Sequence, residues 1–200
     1  KVFQIRRSEF SFGIRYDWQT KKKYGGGYLL NWGPHLIDQP LQLAGSPVKS
    51  VYGELKQIIN PGDVEDVFFA VMKTEDDITV VSEYNIGSNK LPNWVIQGDR
   101  GTIYVKETEI EIHKANYPEI FDPTSYRNPV EIEVIMDNAN GTNMVTMGNR
   151  YGDSMVIYPH IAKTIRGEES YMVSLESALN LTKLLDAIRQ SSETGKVICL

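Results

Sequence analysis

Residues 24–38 read Tyr-Gly-Gly-Gly-Tyr-Leu-Leu-Asn-Trp-Gly-Pro-His-Leu-Ile-Asp. Three consecutive glycines precede an apolar helical pattern that carries polar side chains at Asn31, His35 and Asp38. Steps of four and three residues place those three side chains on one face of a helix. An imidazole with an amide one turn before it and a carboxylate one turn after it suits proton transfer. The same spacing also suits a histidine that simply hydrogen-bonds its neighbours in a core. His35 and Asp38 offer a metal only two ligands, with no third close in sequence, so no metal is expected.

The helix should run from about Gly27 to Leu43. Pro34 removes a backbone donor and sets its ring against the Leu30 carbonyl, which predicts a kink or a short turn before a second helix. Pro40 disturbs the last turns, and Gly45 fits a C-terminal stop. Before the helix, Val2 to Phe12 alternates as a half-buried strand. The loop between them holds Arg15, Tyr16, Asp17, Trp18 and Gln19, aromatic and hydrogen-bonding groups that together suit a sugar or polyol. Trp18 stapling the loop to the domain surface is the plainer reading of the same residues. Tyr28, Asp38, Arg15, Asp17 and Trp18 are the candidate substrate contacts.

After the helix, strands are expected at Val48 to Ile59, Asp66 to Lys73, Ile78 to Tyr84, Trp94 to Gly98, Thr102 to Lys106, Glu109 to His113 and Val130 to Met136. Short connections such as Glu75-Asp-Asp and Asp99-Arg-Gly make sequential strands antiparallel. A turn is expected at 137–142 and helices at Tyr151 to Arg166 and from Ser174 to near Ser192. Ser174 is the N-cap, and Ala178, Leu181, Leu185 and Ile188 lie at core spacing. A short strand at Val197 to Leu200 ends the chain, with Cys199 packed on it. Strands in succession with helices at both ends predict an α+β domain, a mainly antiparallel open-faced sheet with helices on one face.

The chain has 200 residues, 41% hydrophobic and 24% charged, enough for one full-sized core. A net charge of −5 argues against a nucleic-acid partner, and no apolar run reaches membrane-spanning length. A single cysteine forms no internal disulfide and fits a reducing compartment such as the cytoplasm. No strand–Gly-x-Gly-x-x-Gly–helix unit is present, since Leu30 stands at the third glycine position after Gly25 and Gly27. The glycine run is better read as a close approach of chain to helix. The opening at Lys1 without methionine is expected of a piece of a longer protein.

The run GGGYLLNWGPHLIDQPLQLAG, followed by PVKSVYGEL, resembles the start of the C-terminal domain of the Gfo/Idh/MocA oxidoreductases, the family of glucose–fructose oxidoreductase and inositol dehydrogenase. Gly25, Gly26, Gly27, His35, Ile37, Asp38 and Gly45 match its pattern; Asn31 stands where that family usually has aspartate. The ending Ile-Arg-Gly, Val-Ser, long helix and Ser-Ser-Glu-Thr-Gly-Lys-Val is similar too.

The resemblance implies an α+β domain spanning residues 1–200, completed by an absent N-terminal Rossmann domain that holds NAD or NADP. It also implies that the 200 residues alone bind no nucleotide. His35 would be the acid/base, with Asn31 holding the substrate or the imidazole, and the exposed sheet face would pack on a second subunit. Alternatives are a binding or oligomerisation module that lost turnover, for which Asn31 speaks, and a relative that uses NAD for glycoside cleavage.

Overall fold

A computed structural model describes residues 1–11, 13–86, 91–107, 109–119, 122–127, 130–137 and 157–200. Strand β1 (Val2–Phe10) is followed by two 3-10 turns (Trp18–Thr20, Lys22–Tyr24) and helix α1 (Tyr28–Ala44). Then come β2 (Val48–Lys56), β3 (Val67–Thr74), β4 (Thr79–Asn85), β5 (Trp94–Gly98), β6 (Gly101–Lys106), β7 (Glu109–Asn116) and β8 (Glu131–Asp137). Helices α2 (Ile157–Ile165) and α3 (Leu175–Thr194) and the short β9 (Ile198–Cys199) complete the described residues. Phe12, residues 138–142 of the expected turn and 151–156 of the expected helix lie outside them.

The strands form one sheet in the order β8-β7-β6-β5-β1-β4-β3-β2-β9. Sequential neighbours are antiparallel, as their short turns require, while β1 lies parallel to β4 and antiparallel to β5. Helix α1 packs on β4, β1 and β3, and α3 packs on β2. The core between them and the sheet is built from Ile5, Leu29, Leu36, Ile37, Val51, Phe68, Met72, Val80 and Ile188, none more than 1% exposed.

Helix α1 is not divided at Pro34: it runs through both prolines. Pro40 leaves the Leu36 carbonyl without its helical donor, and the buried Ser82 hydroxyl of β4 donates to that oxygen at 2.8 Å. Leu30, whose carbonyl faces Pro34, lies on the exposed side, where water can serve. Burial of Leu29, Gly33, Leu36, Ile37 and Pro40 against the sheet and α3 holds the helix together despite its two missing donors.

Helix α3 starts on the expected cap, the Ser174 hydroxyl accepting the Ser177 N–H at 3.0 Å. Its buried stripe begins later than expected: Ala178 is exposed, and Leu184, Leu185, Ala187 and Ile188 face the core. A Cβ at Gly53 would stand 2.8 Å from the Ile188 carbonyl, so β2 and α3 are in backbone contact there. Strand β9 pairs only with Ser50 and Val51. Beyond it, the hydroxyls of Ser191 and Ser192 accept the Gly53 and Leu55 N–H groups, each at 2.9 Å. A buried N–H left without an acceptor costs about 1–3 kcal/mol, so these serines stand in for an edge strand. Cys199 is exposed rather than packed.

The opposite face of the sheet carries a row of cross-strand neighbours: Tyr52, Val71, Val81, Arg6, Val95, Tyr104, Glu111 and Met136. Neither α1 nor α3 covers it, because both pack on the side of Gly53, Ala70 and Ser82.

The start of α1 depends on Glu65. Gly27 at the N-cap offers no side chain, and its φ of 117° suits glycine. The Glu65 carbonyl accepts the Tyr28 N–H at 3.2 Å, and its carboxylate accepts the Leu29 N–H at 3.0 Å. A Cβ at Gly27 would stand 2.4 Å from that carboxylate, so the glycine makes room for the borrowed cap.

Burial pushes the Glu65 carboxyl above its ordinary value, against hydrogen bonds from its own and Leu29's N–H and the attraction of Arg189. The folded protein therefore holds this proton more tightly than the unfolded chain. That contribution to stability is complete below the ordinary value of 4.5 and is lost as pH rises through the raised folded value. Glu65→Gln keeps the acceptor oxygen without the charge. Thermal melts from about pH 4 to 7 should show the wild type losing stability relative to Glu65→Gln as pH rises; a flat or opposite trend contradicts this assignment.

Candidate active site

The loop before α1 is folded back onto itself by its own backbone. Gly25, Gly26 and Gly27 donate their N–H groups to the carbonyls of Lys22, Lys21 and Gln19. A Cβ on Gly26 would lie 2.4 Å from the Gln19 carbonyl oxygen, so the glycine run permits a close approach of chain to chain. With Tyr28 and Leu29 bound to Glu65, the donors that would cradle a phosphate are spent. These residues do not fit a dinucleotide pyrophosphate.

Arg15 and Asp17 form an ion pair at the loop surface, with Arg15 Nε 3.0 Å from Asp17 Oδ2. Each holds the other in its charged form: the pair raises the guanidinium and lowers the carboxyl relative to their ordinary values. Asp17 also accepts the Gln19 N–H, which starts the first 3-10 turn. Trp18 is not stapled down; it is 55% exposed, and Tyr16 and Tyr24 are more exposed still.

On α1, His35 is exposed and meets the edge of Trp32 at 6.2 Å between ring centroids. Trp32 stacks on Tyr84 at 5.1 Å, and Tyr84 leans on Tyr28 at 4.9 Å. The result is an aromatic wall running from the core to the histidine. Burial pushes the Tyr84 phenol up, and a Ser11 hydrogen bond opposes it. Trp32 Nε1 is buried and finds no acceptor among the described residues.

The polar residues flanking His35 on α1 point to other partners. Asn31 donates to Gln19 Oε1 at 3.2 Å, which ties the helix to the loop. Asp38 accepts from Gln42 at 3.3 Å. Neither bonds the imidazole, and among the described residues none does. Tyr28 is 2% exposed, and its hydroxyl accepts from Asn60 Nδ2 at 3.2 Å, so it supports the wall from beneath.

Arg15, Asp17 and Trp18 thus lie on the loop that Asn31 ties to α1 through Gln19, and His35 is exposed one turn farther along that helix. A groove of about 980 Å³ lies farther along, between α1 and α3; Asp38 lines it, and none of Arg15, Asp17, Trp18, Asn31 and His35 does. Among the described residues no three His, Cys, Asp or Glu side chains are grouped to hold a metal, and no helix is long and apolar enough to cross a membrane.

Asn60, Glu65 and Tyr84 are neighbours of the site that the sequence did not mark. Asn60-Pro-Gly reads only as a turn, and Tyr84 reads only as the end of a strand. Their signal is the tertiary contact itself.

Known proteins share this fold. The chain is 21% identical over 213 residues to scyllo-inositol 2-dehydrogenase (NADP(+)) IolW of Bacillus subtilis, covering 100% of the chain and 56% of that protein. It is 21% identical to the uncharacterized oxidoreductase YdgJ of Escherichia coli over 99% of the chain and 57% of the relative. The chain therefore spans a little over half the length of these relatives. Among solved structures, an NAD-binding protein from Listeria innocua superposes with a TM-score of 0.73 at 23% identity, over 100% of this chain and 59% of that one. The WlbA dehydrogenase from Bordetella pertussis, solved with NADH and UDP-GlcNAcA, gives 0.66 at 18% identity over 100% and 57%. At such identities the likeness is one of fold. The family model for the GFO/IDH/MocA C-terminal domain matches residues 2–104, just over half of the chain, and the chain belongs to that family.

Proposed function

We propose that this chain is the substrate-side domain of an NAD(P)-dependent oxidoreductase acting on a hydroxyl of a sugar, polyol or related compound. The observation that carries this reading is His35, exposed on α1 beside an aromatic wall, one turn beyond the Asn31 amide that ties the helix to the loop of the Arg15–Asp17 pair. Oxidising an alcohol requires removal of the hydroxyl proton, and an exposed imidazole with no competing hydrogen bond is free to take it. Trp18 supplies a flat apolar face for a sugar ring, while Arg15, Asp17 and Asn31 supply hydrogen-bonding groups. The nicotinamide, which supplies hydride chemistry when bound, is assigned to an N-terminal Rossmann domain of the parent protein. The spent glycine donors support that division.

One observation favours a second reading, a module of the same fold without turnover. Asn31, in the place of the family's usual aspartate, gives its amide to Gln19 and brings no negative charge to His35.

Replacing His35 decides between the two. In the parent protein, assayed with NAD and NADP against a panel that includes scyllo-inositol, His35→Asn should lower turnover by about a hundredfold or more. Its melting temperature should change little, since an exposed ring is no core contact. Undiminished turnover per folded molecule would remove His35 from the mechanism.

We further infer that the open sheet face is a subunit interface. Val71, Val81, Val95, Tyr104 and Met136 lie along its row, broken by Arg6 and Glu111, more apolar surface than a solvated face needs. Sedimentation at high micromolar concentration should give a dimer or larger; a strictly monomeric mass counts against this interface.

A further inference from the structure

The connection between β2 and β3, residues 57–66, is the platform beneath the loop that carries Arg15, Asp17 and Trp18. Asp63 takes the Thr20 carbonyl with its own N–H at 3.1 Å, and its carboxylate accepts the Lys22 N–H at 2.7 Å. Asn60 stands at the junction of loop, platform and helix. It is 4% exposed, and both ends of its side chain are engaged. Its Oδ1 accepts the Arg15 N–H at 2.8 Å, and its Nδ2 donates to the Tyr28 hydroxyl at 3.2 Å. A backbone N–H can only donate, so the amide orientation is fixed by Arg15 and the nitrogen is the atom left for Tyr28. The Asn60 backbone is pinned as well: its N–H goes to Asp66 Oδ2 at 2.7 Å, and its carbonyl accepts from Gln57 at 2.9 Å.

We propose that Asn60 is the positioning residue of the ligand loop. It joins the base of that loop, at Arg15, to the first residue of the helix that bears His35, and so sets the gap between the Arg15–Asp17 pair and the imidazole without touching ligand. This rests on the reading in which that surface holds the substrate. Its consequence is that ligand affinity is controlled from the β2–β3 connection. Loss of Asn60 frees the loop, so binding weakens more than the chemical step slows.

The test combines hydrogen exchange with kinetics in the parent protein, with scyllo-inositol as the probe. Asn60→Ala should speed exchange of the Arg15 amide and its neighbours through Lys22 by about tenfold, the scale set by one buried hydrogen bond. KM for scyllo-inositol should rise by about as much, and kcat should fall by less. Tyr28→Phe removes one end of the tie and should give an intermediate result; it decides the matter if Asn60→Ala does not fold. Met72→Ala, a core truncation at the far end of β3, should lower the melting temperature and leave loop exchange and KM unchanged. Unchanged loop exchange in Asn60→Ala overturns the proposal, as does faster exchange with an unaltered KM. If the wild-type parent turns over no polyol, the dehydrogenase reading falls, and the exchange comparison alone upholds or overturns the role of Asn60.

Discussion

The buried carboxylate of Asp66 accepts three successive backbone N–H groups, from Ile58, Ile59 and Asn60, at 2.7, 2.8 and 2.7 Å. Hydrogen bonds to an ionised acceptor contribute about 1.5–3 kcal/mol each, and here one side chain, 1% exposed, holds a whole turn in place. Several contacts near the candidate site lean on the connection that it anchors. It presents Asn60 to Arg15 and Tyr28, Asp63 to Lys22, and Glu65 to the start of α1. The sheet and helices supply rigidity, and the turn supplies register between the loop and the helix.

Parts of this were legible in the sequence because they are local. Alternation located the strands, with Trp94–Gly98 found to the residue. Ser174, Gly45 and Gly195 punctuate their helices where cap chemistry requires. The His35 helix and the crowded glycine run before it were equally visible. The parallel pairing of β1 with β4 was not, because it joins segments about seventy residues apart and depends on which edge the first strand finds. Nor was the unbroken α1, since the donor that repairs its Pro40 gap comes from Ser82 on another element. At the site, the sequence placed Asn31 and His35 on one face but could not say what Asn31 bonds. Its partner, Gln19, reaches it only once the glycine run has folded back.

On the proposed reading the site is half a site. Its histidine is free of competing hydrogen bonds among the described residues, and the N–H groups at the start of α1 are already used. On the proposed reading the domain grips and deprotonates a hydroxyl compound, while the committed N–H groups of residues 25–29 leave no cradle there for a pyrophosphate. That asymmetry agrees with a chain covering a little over half of its relatives' length. It also explains how the Gly25–Gly27 run can resemble a phosphate loop in composition while its N–H groups close the chain onto Lys22, Lys21 and Gln19.

The division of labour between this chain and the rest of its parent is the central claim, and calorimetry of the 200-residue chain with NAD and with NADP tests it directly. With the Gly25, Gly26, Gly27, Tyr28 and Leu29 N–H groups already committed within the chain, neither nucleotide should give saturable heat. Saturable binding of either at micromolar affinity would contradict the account.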